Sequence, residues 1–188
     1  MSPFAKGIGP LIALSMVART VDKRERNATA AAKEAVDKEW RKLRSIQNPP
    51  CWDEENPREL KDVMREAREN MEDVNIGRIF DTCVEKGSEL PDGDPDRKFK
   101  GRAVFQGNNV WNQNWEWAVF DELGSNPATM QATKVCDCYG LLPGHKTEQA
   151  AARQAYTQTV LGGVKTWVEL PRDQWPEEWI RAGFTRPV

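Results

Sequence analysis

The chain has 188 residues, 39% of them apolar and 30% charged, with four cysteines and a single histidine. That length suffices for one ordinary domain, but the apolar share is low and the charged share high for an independent compact one. A formal net charge of −2 excludes a uniformly basic coat for nucleic acid, so any phosphate-binding surface must be local.

Cys51, Cys83, Cys136 and Cys138 show no Cys-x-x-Cys spacing. Cys136-x-Cys138 with His145 falls short of the four near-tetrahedral ligands of a structural zinc. The expectation is therefore no metal site, with reduced thiols in an intracellular compartment, cytoplasmic or nuclear. The apolar stretch Ile8–Val21 is interrupted by Gly9 and Pro10 and carries Arg19. It is too short and broken to cross a bilayer, and it lacks the basic flank and cleavage site of a secretory signal. Residues 1–27 read as an irregular N-terminal connector, with Asp22–Arg26 a solvated charge run.

From Ala28 to Gln47 the pattern turns helical. Ala32, Ala35, Val36, Trp40, Leu43 and Ile46 recur at three-to-four spacing, opposite Lys, Glu and Arg. Asn27 or Thr29 can cap its start, and Pro49-Pro50 ends it. Cys51–Asp53 fits a short strand. A second helix is expected from Pro57 to Asn70, with Pro57 at its first position and Leu60, Val63, Met64 and Ala67 as its apolar edge.

Val74–Val84 and Phe99–Phe105 are β-rich runs on either side of the turn chemistry of Leu90-Pro-Asp-Gly-Asp-Pro95, which predicts a hairpin. Strand side chains alternate, so Lys98, Lys100 and Arg102 share one face of the returning strand. The tryptophans Trp111, Trp115 and Trp117 follow, and burial against a helix is their expected fate. A helix opening at Ser125–Pro127 and running to Tyr139 would bury Met130, Ala132, Thr133, Val135 and Cys136. After a loop at Leu141–Gly144 come a strand at Glu148–Ala151, a short helix at Arg153–Leu161 and a strand at Lys165–Leu170. A turn and short helix lie within Asp173–Ile180. Two helices, a β-hairpin, a helix and then strand–helix–strand make an α+β chain.

Two constellations could carry chemistry. Three cations along one strand, with no acid between them, suit phosphate oxygens, which arginine grips with a fixed fork; an exposed strand face is also charged for solubility alone. Aromatic rings close to cations can stack bases.

Four motifs in order then give a resemblance. Asp37-Lys-Glu-Trp40, Lys100-Gly-Arg-Ala-Val104, Ala155-Tyr156 and Trp167-Val-Glu-Leu-Pro171 resemble successive elements of copia-type retrotransposon reverse transcriptases. The likeness runs from about residue 28 to residue 179, within a partial domain at 28–188. It implies the fingers and early palm of an RNA-directed DNA polymerase, with template–primer RNA or DNA, nucleotide and the remainder of a polyprotein as partners and no membrane. By the resemblance, Lys100 and Arg102 would contact the incoming triphosphate. Lys98 would meet nucleic acid, Arg153 and Gln154 would lie under the phosphates, and Tyr156 would be the ring beneath the sugar. The family also implies Mg²⁺ held by carboxylates, but the position of its first catalytic aspartate is Ala151, whose methyl cannot ligate a metal. Its aromatic-x-Asp-Asp hairpin would fall beyond Val188. The expected activity of this chain is none: a pseudoenzyme with no catalytic residue retained, binding nucleotide or nucleic acid weakly. The alternative is a non-enzymatic module that holds a protein partner through Trp111–Trp117; an active enzyme of another class finds no motif here.

Overall fold

A computed structural model describes residues 17–47, 49–118, 128–148, 150, 155–158 and 160–188. The fold is α+β, as the order of motifs predicts. Its spine is the long strand β2 (Val74–Lys86), to which all the other strands of a five-stranded sheet pair. Strand β1 (Ala18–Val21) and strand β3 (Lys98–Phe105) flank the C-terminal half of β2, both antiparallel. The short strand β4 (Trp111–Asn112) and the parallel strand β5 (Lys165–Glu169) flank its N-terminal half.

Alternation along β2 decides where the helices go. Helix α2 (Ala30–Arg44) presents Ala32, Val36, Trp40 and Leu43, all buried, and its stripe joins Ile79 and Cys83 in the larger core. Phe99 and Ala103 of β3, with Val168 of β5, pack against the same cluster. Gly101 lets α2 approach: a Cβ there would come within 2.5 Å of the Ala35 carbonyl oxygen. Helix α3 (Leu60–Asn70) buries Leu60, Val63, Met64 and Ala67 with Val74 and Ile76 in a second core. Val74 and Ile76 have the opposite parity to Ile79 and Cys83, so α2 and α3 cover opposite faces of one sheet.

The ends of the described chain are tied in. The short helix α1 (Lys23–Ala28) is capped by Asp22, which accepts from the Glu25 amide at 2.8 Å. It delivers the buried Arg26 to Asp81 of β2 and, at 3.2 Å, to Asp173. Trp179 of helix α5 (Glu177–Arg181) is buried in the α2 core and donates its indole N–H to the Glu54 carbonyl at 3.1 Å. Residues 58 and 188 exchange backbone hydrogen bonds at 3.1 and 2.9 Å.

Several expectations need correction. The connector expected over residues 1–27 contains β1 and α1, because Thr20 and Val21 find partners in Val84 and Cys83. Cys51–Asp53 forms bends, not a strand. Pro57 lies outside α3, because residues 58 and 59 are drawn out to pair with residues 187 and 188. Thr29 does stand at the start of α2, but its side chain makes no capping bond. Helix α4 (Met130–Gly140) begins at Thr129, whose hydroxyl accepts from the Ala132 amide at 3.2 Å; Ser125–Pro127 lie outside the described residues. None of its residues is buried, so the expected burial of Met130, Ala132, Thr133, Val135 and Cys136 does not occur. Glu148 and Ala150 are not in a strand, and of the helix expected at Arg153–Leu161 only a 3₁₀ turn at Ala155–Thr157 is described. No helix among the described residues is long and apolar enough to cross a membrane.

Candidate nucleic-acid interface

The face of the sheet that α3 occupies at one end carries no helix at the other among the described residues. From Phe80 onward this face of β2 shows Phe80, Thr82, Val84 and Lys86, and β3 lines up Val104, Arg102, Lys100 and Lys98 opposite them. Strand geometry does the arranging. Phe99, Gly101 and Ala103 turn inward to the α2 core, so their alternate neighbours must turn outward. The three cations singled out in the sequence are thereby aligned, with Lys98 and Arg102 exposed and Lys100 half-buried.

Pairing adds a fourth cation. Lys86 lies directly across from Lys98, an arrangement that follows only from the register of the hairpin. None of Lys86, Lys98, Lys100 and Arg102 forms an ion pair or side-chain hydrogen bond with another described residue. Like charges opposite or diagonal to one another on a strand pair repel. The consequence shows at Lys100, where first the Arg102 guanidinium, then partial burial, then Lys86 hold the ammonium below its ordinary lysine pKa, against an opposing pull from Glu39. Unneutralised cations held at fixed spacing are poised for an external anion.

Toward α3 the same face changes character. Arg78 and Arg186 both bond Glu169, at 3.1 and 3.0 Å. Burial alone would raise the Glu169 carboxyl, but the two guanidinium groups keep it below the usual glutamate range. Arg186 also lies over the Trp115 ring, 5.7 Å from its centroid. Trp111 pairs with Ile76 and, across a tight hairpin, with Trp117; their rings stack with centroids 4.0 Å apart. Trp115 takes a left-handed backbone with φ of +65° at the hairpin tip. Trp115 and Trp117 are 48% and 57% exposed, so burial against a helix is not their fate. Arg68 of the last turn of α3 donates to the Gln113 carbonyl of this hairpin at 2.9 Å, and Trp115 and Trp117 stay exposed.

Ala151, Arg153 and Gln154 lie outside the described residues, and Tyr156 falls in the Ala155–Thr157 turn. The Mg²⁺ ions implied by the resemblance do not fit the donors present: Ala151 offers a methyl, and no three His, Cys, Asp or Glu side chains gather to hold a metal among the described residues. His145 stacks edge-on against Tyr139 with ring centroids 4.5 Å apart, while Cys136 and Cys138 are exposed thiols on α4. A cavity of about 340 Å³ beside α1 is lined by Arg26, Lys33, Asp37 and Asp173. Asp173 there is already engaged by both Lys23 and Arg26.

No family model, curated protein or solved structure matches this chain.

Proposed function

We propose that the chain is, by ancestry, the fingers and early palm of a copia-type reverse transcriptase, that it performs no nucleotidyl transfer, and that its working capacity is phosphate binding through Lys98, Lys100 and Arg102. The observation that carries this reading is the row of cations that have no ion-pair partner, on a sheet face with no cover, among the described residues, within the segment that resembles the family's Lys-small-Arg strand. Gly101 gives that motif a physical reason, since the residue between the two cations must be small for α2 to lie on β3. Ala151 supports the absence of chemistry, because two-metal catalysis needs a carboxylate where this chain has a methyl. The bound species is a polynucleotide or nucleotide triphosphate, and the compartment in keeping with it is cytoplasmic or nuclear.

Two measurements on the full chain test this. Primer extension with template, deoxynucleotides and Mg²⁺ is expected to give no product; extension at any rate above a denatured control overturns the assignment as a pseudoenzyme. Binding of inorganic polyphosphate at low salt is expected, and K100E/R102E should abolish it. Undiminished binding by that variant overturns the role of the row.

A second reading, a protein-binding module built on Trp111–Trp117, draws support from the exposure of Trp115 and Trp117. Strong acrylamide quenching that a bound partner protein relieves would favour it.

A further inference from the structure

We infer that the Trp115–Trp117 hairpin and the basic row form one continuous site for a single strand of nucleic acid, with bases stacked on the two exposed indoles and phosphates on Arg102, Lys100 and Lys98. This rests on the phosphate-binding reading and adds to it the class of strand and the second half of the site.

Register carries the inference. Trp111 is paired with Ile76, and Arg102 is paired with Thr82. Residues 76 and 82 of β2 have the same parity, so Trp111, with Trp117 bridged to it, emerges on the face of the cations, and Trp115 at the hairpin tip lies under Arg186, which shares Glu169 with Arg78 of that face. Six residues of strand separate them, roughly 20 Å at about 3.3 Å per residue. Among the described residues the ground between is apolar and basic. Phe80 and Val104, both 40% exposed, form an apolar cross-strand pair. Beyond them Arg78 and Arg186 outnumber the one carboxylate, Glu169, that they share.

Chemistry selects the occupant. The cations repeat every second residue of β3, about 6.7 Å apart, which is of the order of the phosphate spacing in an extended single strand. Both strands of a duplex keep their bases paired and stacked inside, leaving nothing for Trp115 and Trp117 to hold. Indole faces accept any base, and a flanking groove of positive charge follows the backbone, the combination by which proteins bind single strands without reading sequence. A protein partner is less well matched, since the apolar ground of Trp115, Trp117, Phe80 and Val104 runs into a row of cations, and charge is depleted at the core of protein interfaces.

The test is fluorescence anisotropy of the full chain with a labelled oligothymidylate of about twenty nucleotides, in competition with inorganic polyphosphate and with a duplex of the same length. W115A and W117A are each expected to weaken the oligothymidylate about tenfold, taking stacking at about 1–3 kcal/mol per base. Polyphosphate affinity should not change, and W115F and W117F should recover most of the loss. The duplex is expected to compete poorly. If both alanine variants bind the oligothymidylate as tightly as the native chain while K100E/R102E does not, the base platform is overturned and phosphate binding by the row stands. Equal affinity for duplex and single strand also overturns it. If the native chain binds neither polyphosphate nor oligothymidylate at low salt, both readings fall.

Discussion

Gly101 of β3 lies so close beneath α2 that a Cβ added to it would meet the Ala35 carbonyl oxygen at 2.5 Å and the Val36 Cα at 2.6 Å. Both obstacles are backbone, which cannot swing aside as a side chain would. G101A must lift the helix from the sheet, and overpacking of this kind costs about 1–3 kcal/mol. The expected result is a lower urea midpoint with an unchanged slope. A midpoint equal to that of the native chain would mean that α2 does not rest on β3 here.

Arg26 and Asp81 make a second close relationship, one of charge. Their side chains are only 6% and 10% exposed, and Asp173 adds a further contact to Arg26 at 3.2 Å. The second oxygen of Asp81 is buried with no hydrogen-bond partner, so the pair is incompletely satisfied. Removing one member leaves the other charge stranded in the core, at a cost of about 3–5 kcal/mol. R26A is therefore expected to be severely destabilised. The double variant R26M/D81L should recover much of the loss, because a well-packed apolar pair can replace a buried ion pair at little cost. Unfolding midpoints of the two variants and the native chain decide it: a double variant no better than R26A would assign the loss to packing and not to charge.

Glu85 gives the fold a dependence on acid. It is held between Arg19 and Arg97, at 2.7 and 2.8 Å. The hydrogen bonds from Arg19, then Arg97, keep its pKa below the ordinary glutamate value of 4.5. A carboxyl depressed in the folded state adds stability above its unfolded pKa and loses it as pH falls through the folded value. Melting temperature should therefore fall as the medium is acidified from the ordinary glutamate range downward. E85Q, which does not titrate, should lower stability at neutral pH and flatten that acid limb. Parallel limbs for the two proteins would rule Glu85 out as the titrating group.

The parts of this molecule that were legible in the sequence are those whose pattern is local. The α2 stripe repeats at helical spacing over about three turns and the α3 edge over about two, and Ala32, Val36, Trp40, Leu43, Leu60, Val63, Met64 and Ala67 are all buried as that spacing requires. The β2–β3 hairpin was equally plain, because turn residues separate two β-rich runs. What escaped depends on pairing between distant segments. Four residues from Ala18 to Val21 carry no strand signal of their own and become β1 only by bonding to residues 83–86. Pro57 fits a helix start because nothing nearby announces that residues 187 and 188 will hold residues 58 and 59 extended. The apolar residues of α4 fitted a buried stripe, yet no core lies beside them among the described residues. In the candidate site the row on β3 followed from alternation alone. Lys86 joined it only through its register with Lys98, and the exposure of Trp115 and Trp117 follows from their place in a hairpin that pairs Trp111 with Trp117, which no local pattern announces.

Lys86 is thus the residue on which structure and sequence differ most usefully, and salt dependence can count it. Binding of a single strand releases about 0.7 condensed counterions for each phosphate neutralised, so three cations give a slope of log affinity against log salt of about −2. Four give about −3 by the same rule. Lys86 faces the same solvent-exposed surface as Lys98, directly across the hairpin, and has no acidic partner among the described residues, so the native chain should show the steeper value. K86A should reduce the slope by about 0.7, as much as K98A does, and should weaken every oligonucleotide sequence alike, because phosphate contacts carry no base information. The wild-type fold should be retained in both variants, since both side chains lie on the face away from the α2 core. A slope that K98A lowers and K86A leaves unchanged would confine the phosphate path to β3, with the strand passing along the sheet's edge and not over the hairpin.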